Sequence, residues 1–417
     1  MRHDVPQLFT PEFTADPYRT YAWLREHEPV KRVRLPSGME AWLVTRYADA
    51  RRALADPRLS KDPRHDYPAW RRGLVGLPGE ERYDLGFHVL NADPPDHTRL
   101  RRLVNKAFTP RRVAGLAPRI QQLTDQMLDE IAPRGEADLM GALAHPLPII
   151  VICELMGVPE AERAMFRSWV DPHAGSRGGI GRSTGKLRDY LHDLIDRKRA
   201  EPRDDLLSAL VRAHDEEGSL DQVELASMAY VLIITGHETT VNLIGNGILA
   251  LLTHPDQRKL LADDPGLLDG AIEEFLRYDG PVETATWRFA TEDVEIAGVR
   301  IPKGDPVLVV IAAANRDPKR FAEPDRLDIT RTDAAHLSFG YGIHYCVGAP
   351  LARLQGRIAI ETVFRRFPDL ELAVPYERLR WRSGLIRRGV HRLPVRFERD
   401  RGAGQAYSVA HRRERPD

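Results

Sequence analysis

Between Leu225 and Leu252 the chain is largely apolar, and its apolar residues fall on every face of a helix. Such a helix has no side to offer water, so it must run through the middle of a large core or span a bilayer. The run is broken by Thr235-Gly236-His237-Glu238-Thr239-Thr240. A charged, hydroxyl-rich insert at that depth argues against a bilayer. We therefore expect a central helix over 221–253, opened by a capping box of Ser219 and Gln222 and ended by Pro255. A chain of 417 residues is long enough to bury that helix and a cofactor beside it. No linker-like stretch divides the middle, so 1–398 is read as one domain. The polar stretch 399–417, with Gly402, Gly404 and the basic pair Arg412-Arg413, reads as a disordered tail.

More helices are expected around the central one. Helix-period apolar residues recur over 97–131, 138–156, 184–200, 204–215, 267–279 and 350–367. Strand-like runs are short, at 41–45, 294–296, 306–310, 370–372 and 393–397, with no βαβ alternation and no internal repeat. The expected class is mainly α with small β-sheets. Lys plus Arg and Asp plus Glu both number 61, so bulk charge favours no partner class. The basic residues Arg99, Arg101, Arg102, Lys106, Arg111 and Arg112 lack aromatic interleaving, and no nucleic-acid binding is expected. Two cysteines make no disulfide framework, and Cys153 sits in an apolar run, which suits a reducing cytoplasm. Met1-Arg2-His3-Asp4-Val5-Pro6 has no apolar signal segment, and no membrane association is expected.

Two polar groupings ask for a chemical explanation. The first is the insert in the central helix. Threonines there often bond back to the preceding turn, but that does not account for Gly236 and Glu238 beside Thr239 and Thr240. Glycine inside a helix costs about 1 kcal/mol relative to alanine, and room for something against the helix backbone is a plausible return. The second is Phe339-Gly340-Tyr341-Gly342-Ile343-His344-Tyr345-Cys346-Val347-Gly348, which leads into Ala349-Pro350. A lone cysteine is by default a small buried hydrophobe. Here glycines permit tight backbone, Pro350 suits a first helical turn, and free amides at the helix start favour a thiolate. Such a thiolate is a good axial ligand for haem iron.

That loop resembles the haem-binding loop of the cytochrome P-450 family, Phe-x-x-Gly-x-His-x-Cys-x-Gly, at every fixed position. The resemblance runs from about Phe9 to Phe397. It implies a single-domain cytochrome P-450 fold, with haem b (iron protoporphyrin IX) between the central helix and the cysteine-bearing loop and helix. Cys346 would be the metal ligand, with Phe339, Gly340 and Gly348 shaping its loop. Glu238 and Thr239 match the acid–alcohol pair that delivers protons during dioxygen reduction, and Gly236 would leave space for the oxygen. Thr235 departs from the usual small alanine and would narrow the distal pocket. Glu274 and Arg277 match the Glu-x-x-Arg pair that braces the core behind the loop, completed by Asn315-Arg316-Asp317-Pro318 with Phe321 and Pro324. His97, Arg101, Arg288 and His344 match the positions that hold the haem propionates.

The resemblance also implies a reaction and partners. The chain would be a monomeric, cytoplasmic monooxygenase fed by ferredoxin and a separate ferredoxin reductase. The donor would dock on the basic helix face, with Arg353 and Arg357 extending the patch. A small-molecule substrate would meet the segment Tyr67 to Leu90, which carries Trp70, Leu74, Leu77, Phe87 and Leu90, together with Thr235, Val282, Thr284, Ala285, Leu385 and Ile386. Gly175 to Gly185 would be the opposing lid. Phrases around Gly236 and Tyr278 resemble actinomycete enzymes that hydroxylate or epoxidise macrolides and related polyketides. A peptide or terpenoid tailoring oxidase is the alternative substrate reading. A non-catalytic haem carrier or sensor is the rival from another class, and the Glu238–Thr239 pair speaks against it.

Overall fold

The computed structural model describes residues 7–65, 67, 85–170, 180–217, 222–333 and 335–399. The central helix runs Gln222–Thr253. It packs against Ala349–Arg366, Pro146–Met156, Leu268–Asp279 and Ile180–Ala200. Its closeness to two of these depends on one missing side chain. A Cβ on Gly247 would lie 2.6 Å from Ile360 Cδ1 and 3.1 Å from Phe275 Cδ2. Alanine there would require the Ile360 and Phe275 side chains to give way. Ser219 of the expected capping box lies outside the described residues.

The helices follow the apolar periodicity, but prolines divide two of the expected ones. The stretch 97–131 forms Asp96–Ala107, Pro110–Gly115 and Ala117–Ile131. Thr109 Oγ1 accepts from Arg112 N at 3.2 Å and Pro110 opens the next helix, so the chain stops and restarts. The stretch 138–156 becomes a π-helical turn, Met140–Ala144, followed by Pro146–Met156. The helices Tyr18–His27, Tyr47–Ala55, Glu160–Val170 and Pro255–Asp263 were not anticipated. The first two are short and charged, and each buries a narrow stripe such as Tyr21 and Leu24.

A five-stranded sheet lies beside the helices, in the order Val30–Arg34, Glu40–Val44, Pro306–Val309, Arg288–Ala290, Leu59–Ser60. Only the Glu40–Val44 and Pro306–Val309 pairing is parallel. Glu136–Asp138, Pro394–Arg396 and Glu371–Leu372 make a second sheet, and Val294–Ile296 pairs with Val299–Ile301. The class is mainly α with small sheets, as expected. Among the described residues no helix is long and apolar enough to cross a membrane.

The segment between the helix Leu268–Asp279 and the strand Arg288–Ala290 is held by backbone bonds. Glu283 N donates to Ile386 O at 2.9 Å, Ala285 N to Val309 O at 2.8 Å, and Arg388 N to Pro281 O at 3.0 Å. The buried Glu283 carboxylate also accepts from Tyr21 Oη at 2.5 Å. Burial raises its pKa from the ordinary 4.5 to about 7, against the pull of Arg388 and the Tyr21 bond. The folded state then holds a proton that the unfolded chain releases. Stability from this group is complete below about pH 4.5 and lost as pH rises through about 7. The loss is on the order of 3 kcal/mol. In urea unfolding, Glu283→Gln should shift less between pH 5 and pH 8 than the native protein. An unchanged shift would remove Glu283 as its source.

Candidate active site

The cysteine loop is shaped by its glycines. Gly340 and Gly342 have φ of +76° and +77°, a region that side chains rarely adopt. A Cβ on Gly342 would also lie 3.3 Å from Ala55 Cα. Cys346 N donates to Phe339 O at 2.8 Å, closing the loop before the helix Ala349–Arg366. The residue itself is exposed, although the helix behind it is buried along one side. Desolvation raises the Cys346 pKa, and the Gly348 amide, Arg101, the Ala349 amide and Arg353 oppose that rise. A bound iron would favour the thiolate further. Gly348 leaves the sulfur room, since a Cβ there would lie 3.8 Å from Sγ.

Behind the loop, Arg277 binds Glu274 through two bonds, of 2.7 and 2.8 Å, with both side chains buried. Arg277 also donates to the carbonyls of Asn315, Pro324 and Arg326 at 3.0, 2.7 and 3.1 Å. Asn315 Oδ1 in turn accepts from Leu337 N at 2.7 Å, and Asn315 Nδ2 donates to Ser338 Oγ at 2.8 Å. The pair thus reaches the first residues of the cysteine loop through one intermediary. Arg353, from the helix after the cysteine, is half-buried beside the loop. It binds Glu273 at 2.6 and 2.8 Å and lies 4.5 Å from the Phe339 ring.

The insert in the central helix opens the core. Residues 225–233 and 240–251 are buried, whereas Thr235 is exposed and Gly236, Glu238 and Thr239 are half-buried. Thr235 Oγ1 donates to Val231 O at 2.6 Å and Thr239 Oγ1 to Thr235 O at 3.2 Å. A side chain on Gly236 would meet Ile152 Cδ1 at 3.3 Å, so the glycine also eases helix packing on that side. Glu238 forms an ion pair with Arg387, which the sequence reading did not single out. Arg387 is held by a β-bridge to Val282. Asn246 Nδ2, on the same helix, donates to the carbonyls of Asp279 and Arg388 at 2.9 and 3.1 Å, fixing this wall against the helix.

The four residues expected at the propionates gather at one edge. The His97 and His344 rings meet edge to face at 4.5 Å. Arg101 Nη1 donates to Tyr345 O at 2.6 Å. The buried Arg288 reaches only the carbonyls of Thr286 and Leu54, at 3.2 and 3.4 Å. Desolvation lowers its pKa to about 10. Burial, and then the charge of Lys61, pushes His344 far down. Buried His97 Nε2 has no hydrogen-bond partner among the described residues. Among the described residues no carboxylate forms an ion pair with Arg101 or Arg288. Buried Arg288 and half-buried Arg101, neither ion-paired among the described residues, next to an orphaned ring nitrogen, fit the dianionic edge of haem.

The expected substrate wall is partly assembled. Val282, Ala285, Leu385 and Ile386 are half-buried on adjoining segments. Thr284 is a correction. It is buried, and its Oγ1 donates to Leu385 O at 2.6 Å, so it braces the wall from behind. Phe87 and Leu90 are half-buried against the main core, and Phe87 stacks under Arg64 at 4.5 Å. Trp70, Leu74 and Leu77 lie outside the described residues, as does most of the expected lid, of which 180–185 is helical.

A sequence model described as Cytochrome P450 matches residues 265–373. The chain is 52% identical over 399 residues to the cytochrome P450 monooxygenase PikC of Streptomyces venezuelae, covering 94% of each chain. It is 47% identical over 404 residues to the 6-deoxyerythronolide B hydroxylase of Saccharopolyspora erythraea, covering 94% of this chain and 99% of that one. The tirandamycin C-bound structure of the P450 monooxygenase TamI matches with a TM-score of 0.85 and 45% identity, over 93% of this chain and 99% of that one. Near-full-length identity of this order carries the fold, the haem and the chemistry together: the chain belongs to the cytochrome P450 family and is a haem-thiolate monooxygenase that uses haem b.

Proposed function

We propose that this monooxygenase oxidises a bulky, mostly apolar polyketide-type metabolite by hydroxylation or epoxidation, with Cys346 as axial ligand and Glu238 and Thr239 controlling proton delivery. The observation that carries the reading is the opening in the central helix. Exposed Thr235 and half-buried Glu238 and Thr239 interrupt a helix that is otherwise buried. A chain of contacts leads from that opening through Arg387 and Val282 to the segment bearing Arg288. His97, His344 and Arg101 line the same cationic edge, which reaches the cysteine loop at Tyr345.

Haem b, when bound, supplies the reduction of dioxygen and the oxidation of the substrate. The protein's part is to hold the ligand sulfur, exclude water and meter protons. Arg387 is 44% exposed and Glu238 12%, so their ion pair links solvent to the opening. A proton from that exposed side reaches the Glu238 carboxylate only when the pair opens, since the guanidinium itself neither accepts nor gives up a proton. Thr239 Oγ1 spends its own proton on Thr235 O, which leaves its lone pairs to accept from Glu238 once that carboxyl has taken up a proton. Rotation of the hydroxyl then presents a proton to the opening.

The substrate class rests on the wall and on the relatives. Val282, Ala285, Leu385 and Ile386 present apolar surface. Two relatives carry the names of a 6-deoxyerythronolide B hydroxylase and a tirandamycin C-bound monooxygenase. Neutral macrolactones should give a type I spectral shift in titrations, and a response only to peptides or terpenoids would replace the polyketide reading. With the tightest binder, Thr239→Ala should lower product formed per NAD(P)H several-fold, with haem and substrate binding retained. Unchanged coupling would take Thr239 out of the relay. Cys346→Ser should abolish the thiolate-type spectrum of the reduced carbon monoxide complex, whereas Cys153→Ser should not alter it. Cys153 is buried, and desolvation raises its pKa to about 12, so it takes no part in chemistry. A thiolate-type spectrum persisting in Cys346→Ser would refute the ligand assignment.

Electrons are proposed to come from a ferredoxin and its reductase. A surface cleft of about 570 Å³ is lined by Thr98, Arg101, Arg102, Lys106 and exposed Ile343, and this is the proposed docking face. Arg112 pairs with Asp204 at 2.8 Å and Arg357 lies 3.4 Å from Asp269, so part of their charge is already met. Residues 1–398 are proposed to act as one monomeric, cytoplasmic unit with 399–417 as a tail. Arg102→Glu combined with Lys106→Glu should slow reduction by ferredoxin about tenfold at low salt, with the difference shrinking as salt is raised. Stopped-flow rates indifferent to both changes would move the docking face elsewhere.

A further inference from the structure

Lys61 is buried, 4% exposed, and no motif in the sequence drew attention to it. It follows directly on the edge strand Leu59–Ser60, where Ser60 is paired with Phe289. Its Nζ donates to Thr286 Oγ1 at 2.7 Å. A hydroxyl cannot balance a buried ammonium. Among the described residues no carboxylate forms an ion pair with Lys61. Asp93 is the acid in its neighbourhood, and that carboxylate is engaged by Ser60 Oγ and by the Lys61 amide at 3.3 Å. Desolvation first, and repulsion from Arg288 second, hold the Lys61 pKa well below its ordinary value. The charge of Lys61 also bears on His88, His97 and His344, which places it within reach of the cationic edge already described.

We propose that Lys61 is a further haem-binding residue, whose ammonium pairs with a propionate beside Arg288. The charge count supports this. Lys61, Arg101 and Arg288 against Asp93 leave a surplus of two positive charges when both histidines are neutral, which the two propionates cancel. Without Lys61 one propionate charge would lie uncompensated at a buried edge, an arrangement that is costly. Lys61 also lies two residues before Pro63–His65, which leads into the expected substrate segment. The same side chain would then tie that segment's base to the cofactor.

The proposal rests on the placement of the propionates at His97, Arg101, Arg288 and His344, so the test separates the two. Holoenzyme is prepared as Lys61→Met, Lys61→Gln, Lys61→Arg and Arg101→Leu. Two measurements are made: the rate of haem loss to apomyoglobin, and the propionate bending modes in resonance Raman spectra. Lys61→Met and Lys61→Gln should shift a propionate mode and speed haem loss roughly ten- to a hundredfold, the range for loss of a charge-assisted hydrogen bond. Lys61→Arg should restore both readings toward the native values. A purely structural lysine would lower the unfolding midpoint without moving the propionate modes, and that result overturns the proposal. If Lys61→Met fails to fold, Lys61→Gln carries the same test. Modes that respond to Arg101→Leu and not to Lys61→Gln refute Lys61 alone. Modes that respond to neither refute the placement of the propionates.

Discussion

The buried pair of Glu274 and Arg277 is the interaction on which the rest of the site depends. Two charges removed from water are stabilising only when their remaining donors and acceptors are met. Here they are. Arg277 supplies donors to Glu274 and to three carbonyls, and Glu274 also accepts from Asp328 N at 2.9 Å and lies 3.2 Å from Arg331 Nε. The carbonyls belong to an irregular stretch between Asn315 and Arg326 that has no regular secondary structure to satisfy it. Removing either partner would leave the other charged and buried, at a cost of about 3–5 kcal/mol. The cost would fall on the cysteine loop, because Asn315 carries the constraint on to Leu337 and Ser338. A pair one helical turn apart thus sets where a thiol some seventy residues later can sit.

The central helix presents the opposite problem. It must carry polar groups through a core without leaving them unpaired. Thr235 and Thr239 solve this by donating to the carbonyl one turn back, as isolated threonines do. Glu238 cannot, and is met by Arg387 from a chain segment anchored at Val282. The functional group and the substrate wall are therefore one assembly, and a change at Leu385 or Ile386 would also displace the cation that holds Glu238.

The fold class was legible in the sequence because apolar periodicity reports burial, and burial organises this molecule. The helix Gln222–Thr253 was read nearly to its ends for that reason. The long stretch 97–131 was not, because apolar spacing carries through Thr109-Pro110 while the backbone stops there. The short strand Arg288–Ala290 escaped notice, since all three residues are buried and show none of the alternation of Val294-Glu295-Ile296. At the site, motif residues with fixed spacing were found from their neighbours in sequence. Lys61 and Arg387 were not, because each acts through a partner more than a hundred residues away, Thr286 and Glu238. The raised pKa of Cys346 was also invisible: a pattern shows the amides that favour a thiolate and not the desolvation that outweighs them.

Charge ties these features together. The chain is neutral in sum, with 61 basic and 61 acidic residues. Most surface arginines meet an acid nearby, as Arg197 meets Glu162 and Arg320 meets Asp333. Around Lys61, Arg101 and Arg288 paired acids are withheld: among the described residues none forms an ion pair with these three, although Asp93 lies nearby. Withholding them costs the polypeptide stability, because a buried cation without a counter-charge is destabilising. A ligand that binds only the folded state returns that stability in proportion to its affinity. The cation-rich edge therefore does two things at once. On the proposed placement of the propionates, it would select a planar group with two carboxylates on one side and make completion of the fold depend on that group.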